Sequence, residues 1–288
     1  MELNYVSVAS EWEEDETFTE QELEIVEALE AEYEFSLTNR TQSSTPLHTP
    51  ENRPKTRRQL PASFSLSPCQ ANSRIKYPAM RFGGQILYSR TSVEVEKAAM
   101  ELLQVLETQK RETGQVVIGF DIEWKPTFKR GVSAGKVAVM QICGDINHCY
   151  VMHIIHSGIP PSLQFLLEDS AILKVGVGIG NDAVKIDNDY NVSVKDVEDL
   201  SYLANQKLGG DSQRYSLASL TEMLICKELE KPNKIRLGNW EAEFLSKDKL
   251  QYAATDAFTS WHLYQVLKSF PYPGRDAAER TSQEVEGV

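Results

Sequence analysis

The sequence predicts an α/β domain built on a mixed sheet of five or six strands flanked by helices, preceded by a disordered acidic tail. Three strand-like runs, at 116–124, 137–144 and 148–155, follow one another across short polar turns. Such short connections favour an antiparallel meander. Strand-like and helical patterns then alternate up to about residue 270, an order typical of helices packed on a mixed sheet.

Residues 1–79 are expected to form the disordered tail. The first 51 residues contain 14 acidic side chains and one basic side chain, Arg40, whereas the other 237 residues contain 28 acidic and 29 basic ones. The net charge of −12 therefore resides in the tail, and the remainder is compatible with phosphate binding. The tail has too few apolar residues to offset the entropy of ordering it.

Two features of the tail suggest that it binds a partner protein and that it directs import into the nucleus. Thr19 and Glu22 resemble a capping box followed by apolar residues at helical spacing, so a partner-binding helix is the alternative to a fluctuating tail. A short basic cluster is a candidate nuclear import signal, made of Arg53, Lys55, Arg57 and Arg58.

Composition argues against several classes of protein. No run of about 18 apolar residues is present, and the N-terminus lacks the basic and apolar segments of a signal peptide. The four cysteines show no CxxC spacing, so neither a zinc site nor a disulfide framework is indicated. We therefore expect a nuclear protein with reduced thiols and no membrane partner.

The folded domain is expected over residues 80–272, with a loose polar tail at 273–288. It should begin with a short strand at 85–89 and a helix at about 92–109. After the three-stranded meander, a short helix and a strand at 172–179 are predicted, followed mostly by helices.

The first candidate site motif is the strand VVIGFDIEW, in which Asp121 and Glu123 stand two residues apart. The period of a strand places both carboxylates on one face. An ordinary surface strand could carry two acids, but the apolar residues around them indicate an interior strand. Because two buried anions side by side repel each other, a metal cation is the natural partner.

The second motif is the run KVGVGIGND, in which Asp182 follows three alternating glycines at a helix start. A helix cap is the alternative explanation for an aspartate at this place. The glycine spacing is GxGxG and not GxGxxG, so a dinucleotide loop is not indicated.

The third motif pairs Tyr252 and Asp256 in LQYAATDA, one helical turn apart on the same face of a predicted helix. An isolated YxxxD would more often be a structural tyrosine beside a solvated aspartate. Its meaning here depends on the two acidic motifs that precede it.

In this order, the three motifs resemble the DEDD exonuclease superfamily, which has the ribonuclease H-like fold. Gln251 occupies the place where the histidine subclass carries its histidine, so the resemblance is to the tyrosine subclass, DEDDy. The strings FDIEW, KVAVMQIC, KVGVGIGND, SLASL, RLGNW and LQYAATDA are similar to the Werner syndrome exonuclease domain over about 81–270. Helicase motifs are absent from the sequence, as in the stand-alone Werner-like exonucleases of plants.

The resemblance implies a metal-dependent 3′–5′ exonuclease that hydrolyses DNA from recessed or mismatched 3′ ends to 5′-mononucleotides in repair. It implies two divalent cations, Mg²⁺ or Mn²⁺, with Asp121 bridging them. Glu123 and Asp256 would hold the cation that activates water, Asp182 would support the other, and Tyr252 would orient the water. A nuclear partner such as the Ku complex, bound through the acidic tail, is also implied.

Substrate contacts are predicted from residue type and from their place beside the motifs. Apolar contacts to terminal bases are expected from Trp124, Phe128 and Met140, and phosphate contacts from Lys125, Lys129, Arg130, Lys136 and Lys185. For the basic residues, an ordinary solvated surface is the alternative.

Two other functions compete with the DNA exonuclease. Trimming of RNA 3′ ends is an alternative, because ribonuclease D relatives share the five site residues, although no helical accessory domain follows residue 270. An inactive nucleic-acid-binding scaffold is the third hypothesis, and the intact set of four acids argues against it.

Overall fold

The computed structural model describes residues 76–127, 131, 133–209 and 212–272. Within them, one sheet has the strand order β1-β4-β3-β2-β5-β6. Its strands are β1 (Gln85–Ser89), β2 (Val116–Trp124), β3 (Val137–Cys143), β4 (His148–Met152), β5 (Ile172–Gly176) and β6 (Val197–Asp199). The helices are α1 (Ser92–Thr113), α2 (Ile154–Ser157), α3 (Pro161–Glu168), α4 (Ile179–Tyr190), α5 (Leu200–Leu208), α6 (Leu217–Ile225), α7 (Asn233–Arg236) and α8 (Lys247–Ser269).

The sheet is mixed, as predicted. Strands β2, β3 and β4 pair antiparallel in chain order, which confirms the meander. Strand β1 pairs parallel with β4, and β5 pairs parallel with both β2 and β6. This arrangement of six strands flanked by helices confirms the predicted ribonuclease H-like fold class.

Local signals set the ends of the helices. Thr91 and Glu94 form a capping box at the start of α1, and Gly114 ends this helix in the left-handed region at φ 72°. The helix therefore runs about one turn beyond the predicted end at residue 109. Strand β5 is shorter than the predicted strand at 172–179, because Gly178, at φ 76°, caps α4.

The two faces of β2 are buried against different helices. Ile118, Phe120 and Ile122 belong to a core cluster shared with α1 and α3. Val117 faces the other way, into a cluster with Leu263 and other residues of α8. The odd-numbered residues of β2 therefore face α8, and this places Asp121 and Glu123 on the side of the sheet that α8 covers.

Several predictions concern residues outside the described ranges. These are the tail up to residue 75 with its capping box and basic cluster, the polar segment from 273 to 288, and Phe128, Lys129 and Arg130. Among the helices that the structure describes, none is both long and apolar enough to cross a lipid bilayer.

A buried histidine joins the sheet to the segment before α8. His153 is fully buried; its Nδ1 lies 2.7 Å from Tyr88 Oη and its Nε2 lies 2.9 Å from Trp240 O. Burial lowers the pKa of His153 to about 4, partly opposed by the hydrogen bond to Trp240.

Acidification should therefore weaken the fold through His153. A folded-state pKa below the ordinary value means that the unfolded chain binds more protons, so stability is present above about pH 6.5 and falls towards pH 4. We expect wild type to lose about 2 kcal/mol more than His153→Gln over this interval. Urea unfolding at a series of pH values measures this difference, and parallel pH profiles would contradict it.

Candidate active site

Two carboxylates from β2 and one from α8 form the centre of the site. Helix α8 lies so close to β2 that a Cβ at Gly119 would overlap Ala257 O, and it would lie 2.6 Å from Trp261 N. This close approach brings α8 directly over the face of β2 that carries Asp121 and Glu123. Asp256, next to Ala257 in the chain, therefore joins them.

The three carboxylates are close enough to share a cation. Ligand oxygens of Asp121, Glu123 and Asp256 all lie within 4.8 Å of one another. Glu123 is 8% exposed and Asp256 is 5% exposed. The Tyr252 hydroxyl, one turn before Asp256 on α8, lies beside the Asp256 carboxylate and interacts with it electrostatically.

Asp182 lies in the first turn of α4 and borders the same pocket as the other three acids, although it is outside the group within 4.8 Å. The helix-cap explanation does not hold for it, because Gly178 is the cap residue and no side chain caps this end. Asp199 Oδ2 accepts a hydrogen bond from Gly178 N at 2.8 Å. Asp199 thus fixes the turn from which Asp182 projects.

Burial raises the pKa values of all four carboxylates, joined for three of them by neighbouring acidic charges. Burial, followed by the charges of Asp182 and Asp256, raises the pKa of Asp121 well above its ordinary value. Burial, followed by the Asp121 charge, does the same to the pKa of Glu123. Burial and the Asp199 charge raise the pKa of Asp182 to about 7, and burial raises that of Asp256.

This set of groups fits divalent cations. Each carboxylate supplies hard oxygen ligands of the kind that Mg²⁺ and Mn²⁺ prefer. A bound cation would also oppose the repulsion from neighbouring acids that, after burial, raises the pKa values of Asp121 and Glu123. The donor chemistry and the mutual repulsion therefore both agree with a metal site formed by Asp121, Glu123, Asp182 and Asp256.

Gln141, which sequence reasoning did not assign to the site, orients one of the acids. It is the cross-strand partner of Asp121, is fully buried, and donates from Nε2 to Asp121 Oδ2 at 2.7 Å. It is the single polar residue of VAVMQIC in β3. A lone amide in an apolar strand is a signal that could have identified it, since buried polar groups need partners.

Replacing Gln141 by Met is expected to weaken Mn²⁺ binding and activity by about 10-fold to 100-fold, as for other groups that orient metal ligands. The volume stays similar, but Asp121 loses the donor that fixes its orientation. Calorimetric Mn²⁺ titration and exonuclease rates measure the effect. Gln164→Met, a change on α3 away from the site, is the control, and equal behaviour of the two variants would contradict this role for Gln141.

The acids open into a pocket of about 260 Å³. Its lining residues are Asp121, Ile122, Glu123, Trp124, Pro126, Val177, Asp182, Lys231, Arg236, Leu237, Tyr252 and Asp256. Two cations, Lys231 and Arg236, thus border the same pocket as the acids. Arg236 lies in the recognised RLGNW string, but nothing in the sequence pattern pointed to Lys231.

Of the predicted substrate contacts, Trp124 borders the pocket. A register shift at Glu123 and Trp124 interrupts the pairing of β2 with β3 at this point. Lys125 and Lys136 are outside the pocket lining, and Lys136 is exposed with Nζ 5.8 Å from the centre of the Tyr190 ring. Contacts of these residues with nucleic acid stay predictions.

Two of the predicted contacts have other roles in the structure. Met140 is fully buried in the core on the α1 side of the sheet, so its assignment as a base contact is wrong. It neighbours Gln141 in β3 and therefore points to the opposite face. Lys185 Nζ donates to Gly135 O at 2.8 Å and to Asp189 Oδ2 at 3.0 Å, so it ties α4 to the segment before β3.

The chain is similar in sequence to known 3′–5′ exonucleases. The profile DNA_pol_A_exo1, described as 3′–5′ exonuclease, matches residues 89–269. A 3′–5′ exonuclease of Arabidopsis thaliana is 55% identical, over 89% of this chain and 96% of that protein. The mouse (Mus musculus) bifunctional 3′–5′ exonuclease/ATP-dependent helicase WRN is 35% identical. The matched region covers 66% of this chain and 13% of the mouse protein.

Solved structures of similar fold include two nuclease domains. The EXO domain of Aedes aegypti Nibbler has a TM-score of 0.53 and 22% identity, covering 66% of this chain and 91% of that one. Escherichia coli RNase D, an exoribonuclease involved in structured RNA processing, has a TM-score of 0.51 and 17% identity, covering 65% of this chain and 44% of that one. At these identities the likeness concerns the fold.

Proposed function

Because this chain belongs to the 3′–5′ exonuclease family, we propose that it hydrolyses DNA from recessed or mismatched 3′ ends and releases nucleoside 5′-monophosphates. The grouping of Asp121, Glu123 and Asp256 within 4.8 Å, with Asp182 on the same pocket, carries this proposal. The preference for DNA rests on the motif strings that resemble the Werner exonuclease domain and on the 35% identity with the mouse protein.

The four acids would hold two divalent cations, Mg²⁺ or Mn²⁺. When bound, these cations supply charge neutralisation on the phosphate and activation of the attacking water. The protein contributes a site in which the acids are already oriented, Asp121 by Gln141 and the Asp182 turn by Asp199. In the reaction, water oxygen bonds to phosphorus as the P–O3′ bond breaks, leaving a new 3′-hydroxyl on the shortened strand.

Tyr252 acts as a hydrogen-bond donor in this account. Burial, followed by the Asp256 and Glu123 charges, raises the pKa of its phenol above the ordinary value of 10. The phenol therefore stays protonated at neutral pH and cannot serve as a general base. Its position beside Asp256 suits it to orient the attacking water.

Tyr252→Phe is expected to lower kcat by about 10-fold to 100-fold. The phenol is 8% exposed and borders the pocket, so loss of the hydroxyl removes a donor without removing the ring that packs there. Thermal unfolding should change little, and steady-state kinetics on a labelled 3′ end gives kcat. Tyr202→Phe, at an exposed position on α5, is the matched control; wild-type kcat in Tyr252→Phe would contradict the role.

The pocket suits a single terminal nucleotide. Its lining combines the four acids and two cations with apolar residues such as Trp124, Pro126 and Leu237. A base and sugar would pack on the apolar residues while the phosphate meets the polar ones. At about 260 Å³ the pocket is small, in keeping with removal of nucleotides one at a time from an end.

The rates at which DNA and RNA strands of the same sequence are shortened test this proposal. Recessed duplexes labelled at the 5′ end of the shorter strand, with that strand made of DNA or of RNA, are incubated with Mg²⁺, Mn²⁺ or EDTA. We expect stepwise shortening of DNA from its 3′ end, absent in EDTA. Faster shortening of RNA would overturn the DNA assignment and favour RNA trimming, and the labelled 5′ mononucleotide as first product would overturn the direction.

A nuclear location and a role in DNA repair are part of the proposal. The repair role rests on the resemblance to the Werner exonuclease domain, and the nuclear location rests on the basic cluster of the tail. Microscopy of a fluorescent fusion tests it, with Arg53, Lys55, Arg57 and Arg58 all replaced by alanine in the comparison chain. Nuclear signal that is lost on replacement would support import through this cluster. Binding of a nuclear partner such as the Ku complex by the acidic tail is a separate proposal, tested by pull-down with and without residues 1–75.

A further inference from the structure

Lys231 borders the pocket that contains the proposed metal ligands. It is not itself a metal ligand, so the proposed metal site gives it no function. It borders the pocket together with all four acids and its side chain is exposed. Among the residues that the structure describes, no hydrogen bond or ion pair engages its ammonium group. The side chain is therefore available to bind a substrate group.

The backbone that carries Lys231 is anchored on both sides. Met80 N donates to Glu228 O at 2.7 Å, and Glu228 N donates to Pro78 O at 3.0 Å. On the other side, Pro232 precedes α7 as its cap residue. A long, free side chain on a fixed backbone position confines the ammonium group to the neighbourhood of the pocket.

The charges indicate which group Lys231 meets during the reaction. Burial raises the pKa values of Asp121, Glu123 and Asp256, and Lys231 is the cation that opposes this rise in each of them. Once two dications balance the four acids, however, the negative charge left in the pocket is that of the substrate phosphate. Lysine binds phosphate oxygens as a compact, mobile point charge.

We propose that Lys231 is a catalytic residue whose ammonium group donates a hydrogen bond to a non-bridging oxygen of the scissile phosphate. The inference rests on the proposed function, since it assumes phosphodiester hydrolysis in this pocket. Negative charge on the non-bridging oxygens is stabilised by Lys231 as the P–O3′ bond breaks. No proton needs to leave the lysine in this role.

The test compares Lys231→Met with Lys231→Arg and with Lys234→Met, a change at an exposed lysine of α7 that is outside the pocket lining. Kinetics use whichever polymer, DNA or RNA, wild type hydrolyses, so a wrong DNA assignment does not affect the result. We expect Lys231→Met to lower kcat by about 10-fold to 100-fold, with KM changed by less than about threefold. Lys231→Arg should recover most of the rate.

Mn²⁺ affinity, measured without substrate, separates catalysis from a structural role. Removing a positive charge beside the acids should leave Mn²⁺ affinity unchanged or raise it. Lower kcat together with weaker Mn²⁺ binding would overturn the proposal, because Lys231 would then be shaping the metal site. Wild-type kcat in Lys231→Met, or an equal loss in Lys234→Met, would overturn it as well.

Discussion

Asp121→Asn is expected to abolish exonuclease activity while making the metal-free protein more stable. The substitution keeps the shape of the side chain and its contact with Gln141, but it removes a charge from the centre of the acidic cluster. We expect activity to fall by roughly 10³-fold or more, because this carboxylate belongs to the proposed metal site, on which the proposed hydrolysis depends.

The stabilisation follows from the sign of the pKa shifts. The folded-state pKa values of the four acids lie above their unfolded values, so the folded metal-free protein binds more protons than the unfolded chain. Its stability therefore decreases as pH rises through the folded values, about 7 for Asp182. Removing one charge should relieve this repulsion and raise stability at about pH 8 by about 1–3 kcal/mol.

Thermal unfolding in EDTA and kinetics in Mg²⁺ measure the two effects on the same preparations. The advantage of Asp121→Asn should shrink as pH falls towards 6, since wild type then takes up protons in the cluster. Asp187→Asn, at an exposed acid of α4, is the control and should change neither property. A destabilised Asp121→Asn, or one with substantial activity, would contradict the assignment of this cluster as the metal site.

Gly119→Ala is expected to be the most disruptive single substitution for folding. Its Cβ would overlap Ala257 O and lie 2.6 Å from Trp261 N, both in the backbone of α8. Backbone atoms cannot move aside as a flexible side chain can, so α8 must shift away from β2. We expect a loss of about 3 kcal/mol or more, with loss of activity because Tyr252 and Asp256 move with the helix.

Gly180→Ala provides the contrast. No atom lies within 4 Å of a Cβ at this position in α4, so the substitution should be neutral or stabilise by up to about 1 kcal/mol. Urea unfolding of both variants gives the comparison. Similar stabilities would show that the close approach of α8 to β2 is not required for the fold.

The structure brings together the acids and the tyrosine that the sequence singled out, because these residues lie on regular elements. Strand period placed Asp121 and Glu123 on one face, and helical period placed Tyr252 and Asp256 on another. The meeting of these two faces depends on Gly119, and a glycine in a strand indicates close approach without identifying the partner. The resemblance to a known family supplied that missing relation.

The wrong assignment of Met140 and the failure to identify Lys231 also have physical causes. Strand β3 is buried on both faces, so its apolar residues show no alternation that would distinguish the side of Met140 from the side of the acids. Gln141 marks the site face, and its neighbour Met140 must therefore point away. The position of Lys231 depends on backbone bonds between Glu228 and the segment at Pro78 and Met80, about 150 residues earlier in the chain.

The most direct test of the account is a count of Mn²⁺ ions bound per chain, by electron paramagnetic resonance of free Mn²⁺ in the presence of thymidine 5′-monophosphate. We expect two ions for wild type and for Asp187→Asn, and loss of saturable binding in Asp121→Asn. Absence of saturable Mn²⁺ binding in wild type, or unchanged binding in Asp121→Asn, would contradict the claim that the buried carboxylates form the catalytic metal site.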